Sequence, residues 1–181
     1  DNTLNRLSLS RYGKVLIEVC LTSCDDRQRI GDFLSDYLDL SPHKRPRIIR
    51  ATGGTTNHSF SDLPHKAISL INLSSIMELS ERTGVQLDPM RFRGNINFKN
   101  NIPWQEFDWI NRKFAIGDAV LSVFKRTQRC AATSVNPFSA IRDINVPKEL
   151  SKHYKHINMG VYATVIKSGV IKTGDKIQLL Q

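Results

Sequence analysis

The chain has 181 residues, 40% hydrophobic and 24% charged, the balance of a globular protein with room for one sizeable domain, or one domain and part of another. No apolar run approaches the length that crosses a bilayer, and no N-terminal stretch has a signal's apolar centre, so the sequence contains no membrane-spanning helix. With 26 Lys+Arg against 17 Asp+Glu the net charge is +9, which favours an anionic partner without choosing among nucleic acid, a membrane surface and a phosphorylated cofactor.

Residues 14–21 alternate Val15, Ile17, Val19 and Leu21 on one face, which predicts a half-buried strand. A helix is expected from Asp25 to Leu40, where Ile30, Phe33, Leu34, Tyr37 and Leu38 recur at helical spacing. Ser23 to Asp26 offers acceptors at its start and Ser41-Pro42 stops it. The basic cluster His43-Lys44-Arg45-Pro46-Arg47, followed by Arg50, reads as a solvated loop entering a strand at 47–52. Gly53 to Asn57 reads as a flexible loop, and a boundary is expected there between an αβ segment, 1–52, and a β-rich domain, 53–181.

Ala67 to Leu73 predicts an apolar strand. Ser75 and Glu78 have the spacing of a capping box, with Gly84 closing a short helix. From Arg91 the pattern is nearly all β, with strands expected at 91–98, 112–116, 119–127, 160–167 and 170–180, and one helix at 148–155. Gly117-Asp118 and Gly174-Asp175 are echoing turns, and Ser168-Gly169 is a hairpin signal. The fold class that follows is mainly β with a few short helices (α+β), arranged as a barrel or sandwich.

Three cysteines, Cys20, Cys24 and Cys130, cannot all pair, and none sits at zinc-site spacing. A reducing, cytoplasmic compartment is the expectation, with one thiol available for chemistry. Strand alternation at 91–98 predicts Arg91, Arg93 and Asn95 on one face, a donor-rich surface suited to phosphate or a planar polar ligand. The segment Arg129-Cys130-Ala131-Ala132-Thr133 places a cation beside a thiol and so favours thiolate. A regular strand would point Arg129 and Cys130 to opposite faces, so a shared pocket requires a bulge. The bland alternatives are a solvent-facing strand surface and a packed cysteine.

These segments, with Val135, Pro137, Phe60-Ser61-Asp62, Ser74-Ser75-Ile76, Trp109, Ile116-Gly117-Asp118, Gly160-Val161-Tyr162, Gly169 and Gly174-Asp175, resemble the MOSC family in order and spacing. The resemblance runs from about Phe60 to Leu180. It implies a MOSC-type β-barrel similar to the C-terminal domain of molybdenum-cofactor sulfurases, to amidoxime-reducing molybdenum enzymes and to their bacterial relatives. It further implies binding of molybdenum cofactor (molybdopterin), with Cys130 as molybdenum ligand or sulfur carrier. Arg93 and Asn95 would hold the pterin and its phosphate, with Arg129, Ser75, Arg91 and Thr133 as further candidates.

An electron-transfer or sulfur-donor protein would be the partner. Three departures stand out: Gly94 replaces a usual proline, Asn136 and Ser139-Ala140 replace Asp and Thr-Gly, and a Tyr-Pro-x-Lys-type segment of longer members has no counterpart. Residues 1–50 resemble the end of the family's N-terminal region. The rival readings are a non-catalytic binding module and a nucleic-acid-binding barrel. The second is disfavoured because Phe92 and Phe98 alternate away from the arginines.

Overall fold

In a computed structural model of the protein, residues 5–49, 63 and 66–180 are described. The chain divides into two compact units, Asp1–His58 and Ser59–Gln181. The boundary expected near residue 53, the Gly53–Asn57 loop and Phe60-Ser61-Asp62 lie outside the described residues.

The first unit holds an antiparallel hairpin of β1 (Arg6–Arg11) and β2 (Lys14–Cys20), and helix α1 (Cys24–Tyr37). β2 follows the expected alternation toward its end, with Ile17 half-buried and Val19 buried, whereas Val15 is exposed. Ser23 caps α1 by accepting from Asp26 N at 3.2 Å. The helix stops at Tyr37, short of the expected Leu40. Pro42–Lys44 makes a 3-10 turn, and Arg47 to Ile49 do not form the expected strand.

The second unit is built on a six-stranded sheet. Its strands are β3 (Ile68–Asn72), β4 (Ile96–Phe98), β5 (Lys113–Ile116), β6 (Ala119–Gln128), β7 (Asn158–Lys167) and β8 (Ile177–Leu179). They lie in the order β4-β3-β7-β6-β5-β8, antiparallel except for the β3–β4 pair. The sheet curls into a half-barrel. Leu70, Phe98, Trp109, Phe114, Leu121, Val123, Val161 and Ala163 fill one face.

Helices α2 (Leu73–Thr83) and α3 (Val146–Tyr154) cover the other face with Ile76, Leu79, Val146 and Leu150 against Ile71, Phe92 and Met159. Mainly β with a few short helices is the class the periodicity predicted. Two expected strands shrink. The 91–98 strand is reduced to β4 because Asp88 caps a 3-10 turn at Pro89–Phe92, accepting from Met90 N at 2.7 Å, and Arg93 then turns left-handed at φ 51°. The 170–180 strand is reduced to β8 because Asp175 closes a turn on Lys172, whose N–H donates to Oδ2 at 2.7 Å.

Candidate active site: two turns joined by buried arginines

β6 ends at Gln128, and the next two residues diverge. Arg129 turns inward and is buried; Cys130 turns outward and is exposed, in extended backbone just before a 3-10 turn, Ala131–Ser134. The two side chains thus differ in burial as consecutive residues of extended backbone do.

Arg129 spends its donors on main chain. Nε donates to Met159 O at 2.8 Å, Nη1 to Phe92 O at 2.9 Å, and Nη2 also to Met159 O. Its guanidinium lies 5.6 Å from the Phe92 ring centroid. Burial pulls its pKa down to about 10, because carbonyl dipoles replace only part of the lost hydration.

The bond from Arg129 to Phe92 O ties the Cys130 turn to the Pro89–Phe92 turn. A second tie runs the other way. Arg91 is buried, donates from Nη1 to Thr133 O at 3.1 Å, and grips Asp143 with two bonds of 2.8 and 2.9 Å. Asn136 Nδ2 donates to the same carboxylate at 2.8 Å, and these bonds, led by Arg91, hold Asp143 down to about 2. Thr133 donates from N and Oγ1 to Cys130 O at 3.1 and 2.8 Å, pinning the backbone behind the thiol. Segments nearly forty residues apart are thus brought side by side. Cys130 and Arg93 each lie one residue from an end of the Arg129–Phe92 bond.

The expected Arg91, Arg93, Asn95 face does not form, since the backbone is turned and not extended. Arg91 points inward. Arg93 is exposed with no side-chain partner among the described residues. Asn95 faces Ser69: its Oδ1 accepts from Ser69 N at 2.9 Å and Oγ at 2.8 Å, leaving Nδ2 outward. Asn95 borders a cleft of about 1030 Å³ floored by Trp109, Ile116 and Ile177, which Cys130 does not line. Gly94 is required by packing. A Cβ there would sit 2.4 Å from Ile71 Cγ1.

Ser75 is neither a cap nor exposed. Asn72 caps α2, accepting from Ser74 N at 3.1 Å, while Ser75 is buried and donates to Glu106 Oε1 at 3.2 Å. Glu106 is fully buried and also accepts from Asn72 Nδ2 at 2.9 Å; desolvation raises its pKa. Neither Glu106 nor Asp143 was anticipated from sequence. Glu106 carried one signal, a carboxylate set between Trp104 and Trp109. Asp143 carried none, because its partner is fifty-two residues away.

The profile described as MOSC domain matches residues 55–178, more than half of the chain. The chain belongs to the MOSC domain family. Among curated MOSC relatives it is 26% identical over 174 residues to mitochondrial amidoxime-reducing component 1 of Mus musculus, covering 86% of this chain and 51% of that protein. To the Homo sapiens protein of the same name it is 26% identical over 165 residues, covering 79% and 46%. The chain therefore spans about half the length of the curated relatives it matches. Among solved structures it is similar to YiiM of Geobacillus stearothermophilus at TM-score 0.49 and 20% identity, covering 63% of this chain and 54% of that one. YiiM of Escherichia coli follows at TM-score 0.46 and 15% identity, with the same coverage. The MOSC match begins at residue 55, so it includes both turns and the arginines that join them.

Proposed function

We propose that the Cys130 turn is the protein-ligand end of a molybdenum-cofactor site in a protein that reduces N-hydroxylated compounds. The carrying observation is the exposed Cys130 thiol on a turn locked by buried Arg91 and Arg129, with an unpaired Arg93 guanidinium on the turn bonded to it.

These residues fit the group chemically. A thiolate is a soft donor suited to such a metal, and a guanidinium is a fork for phosphate. Among the described residues no three His, Cys, Asp or Glu side chains cluster. When bound, the cofactor supplies the electron transfer at the metal. Cys130 anchors the metal, Arg93 and the free Nδ2 of Asn95 hold the pterin and its phosphate, and Arg91, Arg129 and Thr133 position the turns. Ser75, sealed against Glu106, supports the start of α2. The name of the curated relatives supports the substrate class, and an electron-transfer protein is the implied partner. Three unpaired cysteines suit a reducing compartment such as the cytoplasm. No described helix is long and apolar enough to cross a membrane.

The test is molybdenum and pterin content of the protein purified from a cofactor-competent host, beside Cys130→Ala. Near-stoichiometric metal that disappears in the variant is expected. Absence of metal from both proteins overturns the ligand role. A persulfide on Cys130, read by mass spectrometry, would then favour sulfur transfer with a sulfur-donor partner.

A further inference from the structure

The first unit contains a cleft of about 490 Å³ between α1 and the segment that follows it. Its lining includes Arg27, His43, Arg45 and Arg47 and no carboxylate, with Pro42 and Pro46 as part of its walls. Sequence alone read this basic cluster as a solvated loop. The geometry is more constrained than that. Gly31 lets the backbone of Pro46 lie directly on α1, since a Cβ there would meet Pro46 O at 2.6 Å. Two of the arginines are fastened to main chain: Arg27 Nη1 donates to Leu21 O at 2.7 Å, and Arg45 Nη2 donates to Gln28 O at 3.3 Å while pairing with Asp32. Arg47 and His43 have no side-chain partner among the described residues and are exposed.

Three guanidinium groups and an imidazole therefore share one concave site with a single ion pair, to Asp32, among them. Cations held together without matching carboxylates repel one another, and an acceptor-rich dianion relieves that repulsion. Guanidinium forks match phosphoryl oxygens in spacing and charge, and the volume lies within the range that holds small ligands. The amide of Asp26 in the first turn of α1 is already taken by Ser23 Oγ, and Asp26 itself faces Cys20 N and Arg29. That amide is therefore not a donor to the cleft.

We propose that this cleft is a binding site for a phosphomonoester, held by Arg47 and His43 against the fixed forks of Arg27 and Arg45. The site lies in the first unit, outside the segment matched by the family profile. The phosphoryl group could belong to a soluble metabolite or to a lipid headgroup.

The test is an amide NMR titration of the full chain with inorganic phosphate and glycerol phosphate at constant ionic strength. Shifts centred on residues 24–28 and 42–48 are expected. Affinity should fall roughly tenfold in Arg47→Gln, the loss expected for one charge-assisted contact, and fall likewise in His43→Gln. Lys44→Gln removes equal charge from the same loop outside the cleft and should retain binding. Among the described residues the side chains of Arg47 and His43 have no other partner, so unchanged far-ultraviolet circular dichroism should confirm that the variants fold. Sedimentation with phosphatidic acid vesicles, but not with phosphatidylserine vesicles, would assign a lipid source. Phosphate binding without sedimentation assigns a soluble one. Shifts reproduced by chloride, or an Arg47→Gln variant that binds as wild type, overturn the site.

Discussion

Arg91 and Arg129 are both buried cations, yet their charges are met differently. Arg91 faces a carboxylate, whereas Arg129 faces only carbonyl oxygens and a phenyl ring. Replacing Arg129 by Lys keeps the charge but loses the planar fork, leaving carbonyls unsatisfied at roughly 1–3 kcal/mol. Arg129→Lys should therefore lower both the urea midpoint and metal loading, while Arg93→Gln lowers loading with the midpoint unchanged. Equal midpoints for the two variants would remove the positioning role of Arg129.

Asp143 gives a pH signature. Its folded pKa, about 2, lies below the ordinary carboxylate value, so the stability it contributes is present above pH 4 and is lost as pH falls toward 2. The stability gap between wild type and Asp143→Asn should shrink across that window in urea titrations. At this scale the sequence exposed the residue types but not their directions. Arg129, Cys130 and Arg93 are visible as motif residues. Which of the arginines is consumed by main chain depends on Met159 and Phe92, contacts that no local pattern encodes.

At the level of elements, Glu106 binds the β3–α2 junction, through Asn72 and Ser75, to the 3-10 turn at Gln105–Trp109. Its pKa is raised chiefly by burial, so the folded state binds its proton more tightly than the unfolded chain. That contribution is greatest below the ordinary carboxylate range and declines as pH rises through the folded value. Glu106→Gln should therefore gain stability relative to wild type as pH rises above the ordinary carboxylate range. A gap that stays constant would mean Glu106 is not strained by burial. Glu106→Ala instead strands the donors of Asn72 and Ser75 and should cost about 2–4 kcal/mol.

The long elements were readable. β2, α1, β3, β5, β6 and β7 have clean periods, and α2 was found although its true cap is Asn72. The shortened strands were not, because Arg91 to Phe98 alternates well enough for a strand while the preceding Asp88-Pro89 selects a turn. Tyr12-Gly13 and the alternating Leu7 and Leu9 marked the unread β1 hairpin.

Across the whole chain the two units differ in what they bury. Among the described residues, Val19 and Ile30 are the fully buried apolar side chains of the first unit, whereas the second holds two apolar clusters. A fragment of 59–181 should unfold cooperatively on its own, and a fragment of 1–58 should show little structure by circular dichroism. A cooperative melt of the shorter fragment would contradict this division of stability. From composition a Gly-rich stretch was expected to separate an αβ segment, 1–52, from a β-rich domain, 53–181, and that stretch lies outside the described residues.

The pairing of β3 also carries a cost in time. Leu70 lies beside Val161, about ninety residues later, and the interior of the half-barrel is not closed over Leu70 until β7 exists. At translation speeds of about 5–20 residues per second, β3 emerges from the ribosome roughly 5–20 s before its central partner. During that interval β3 lacks the strand that pairs with its second edge. The nascent chain is thus most exposed to chaperones and to aggregation while the Cys130 turn is still being made.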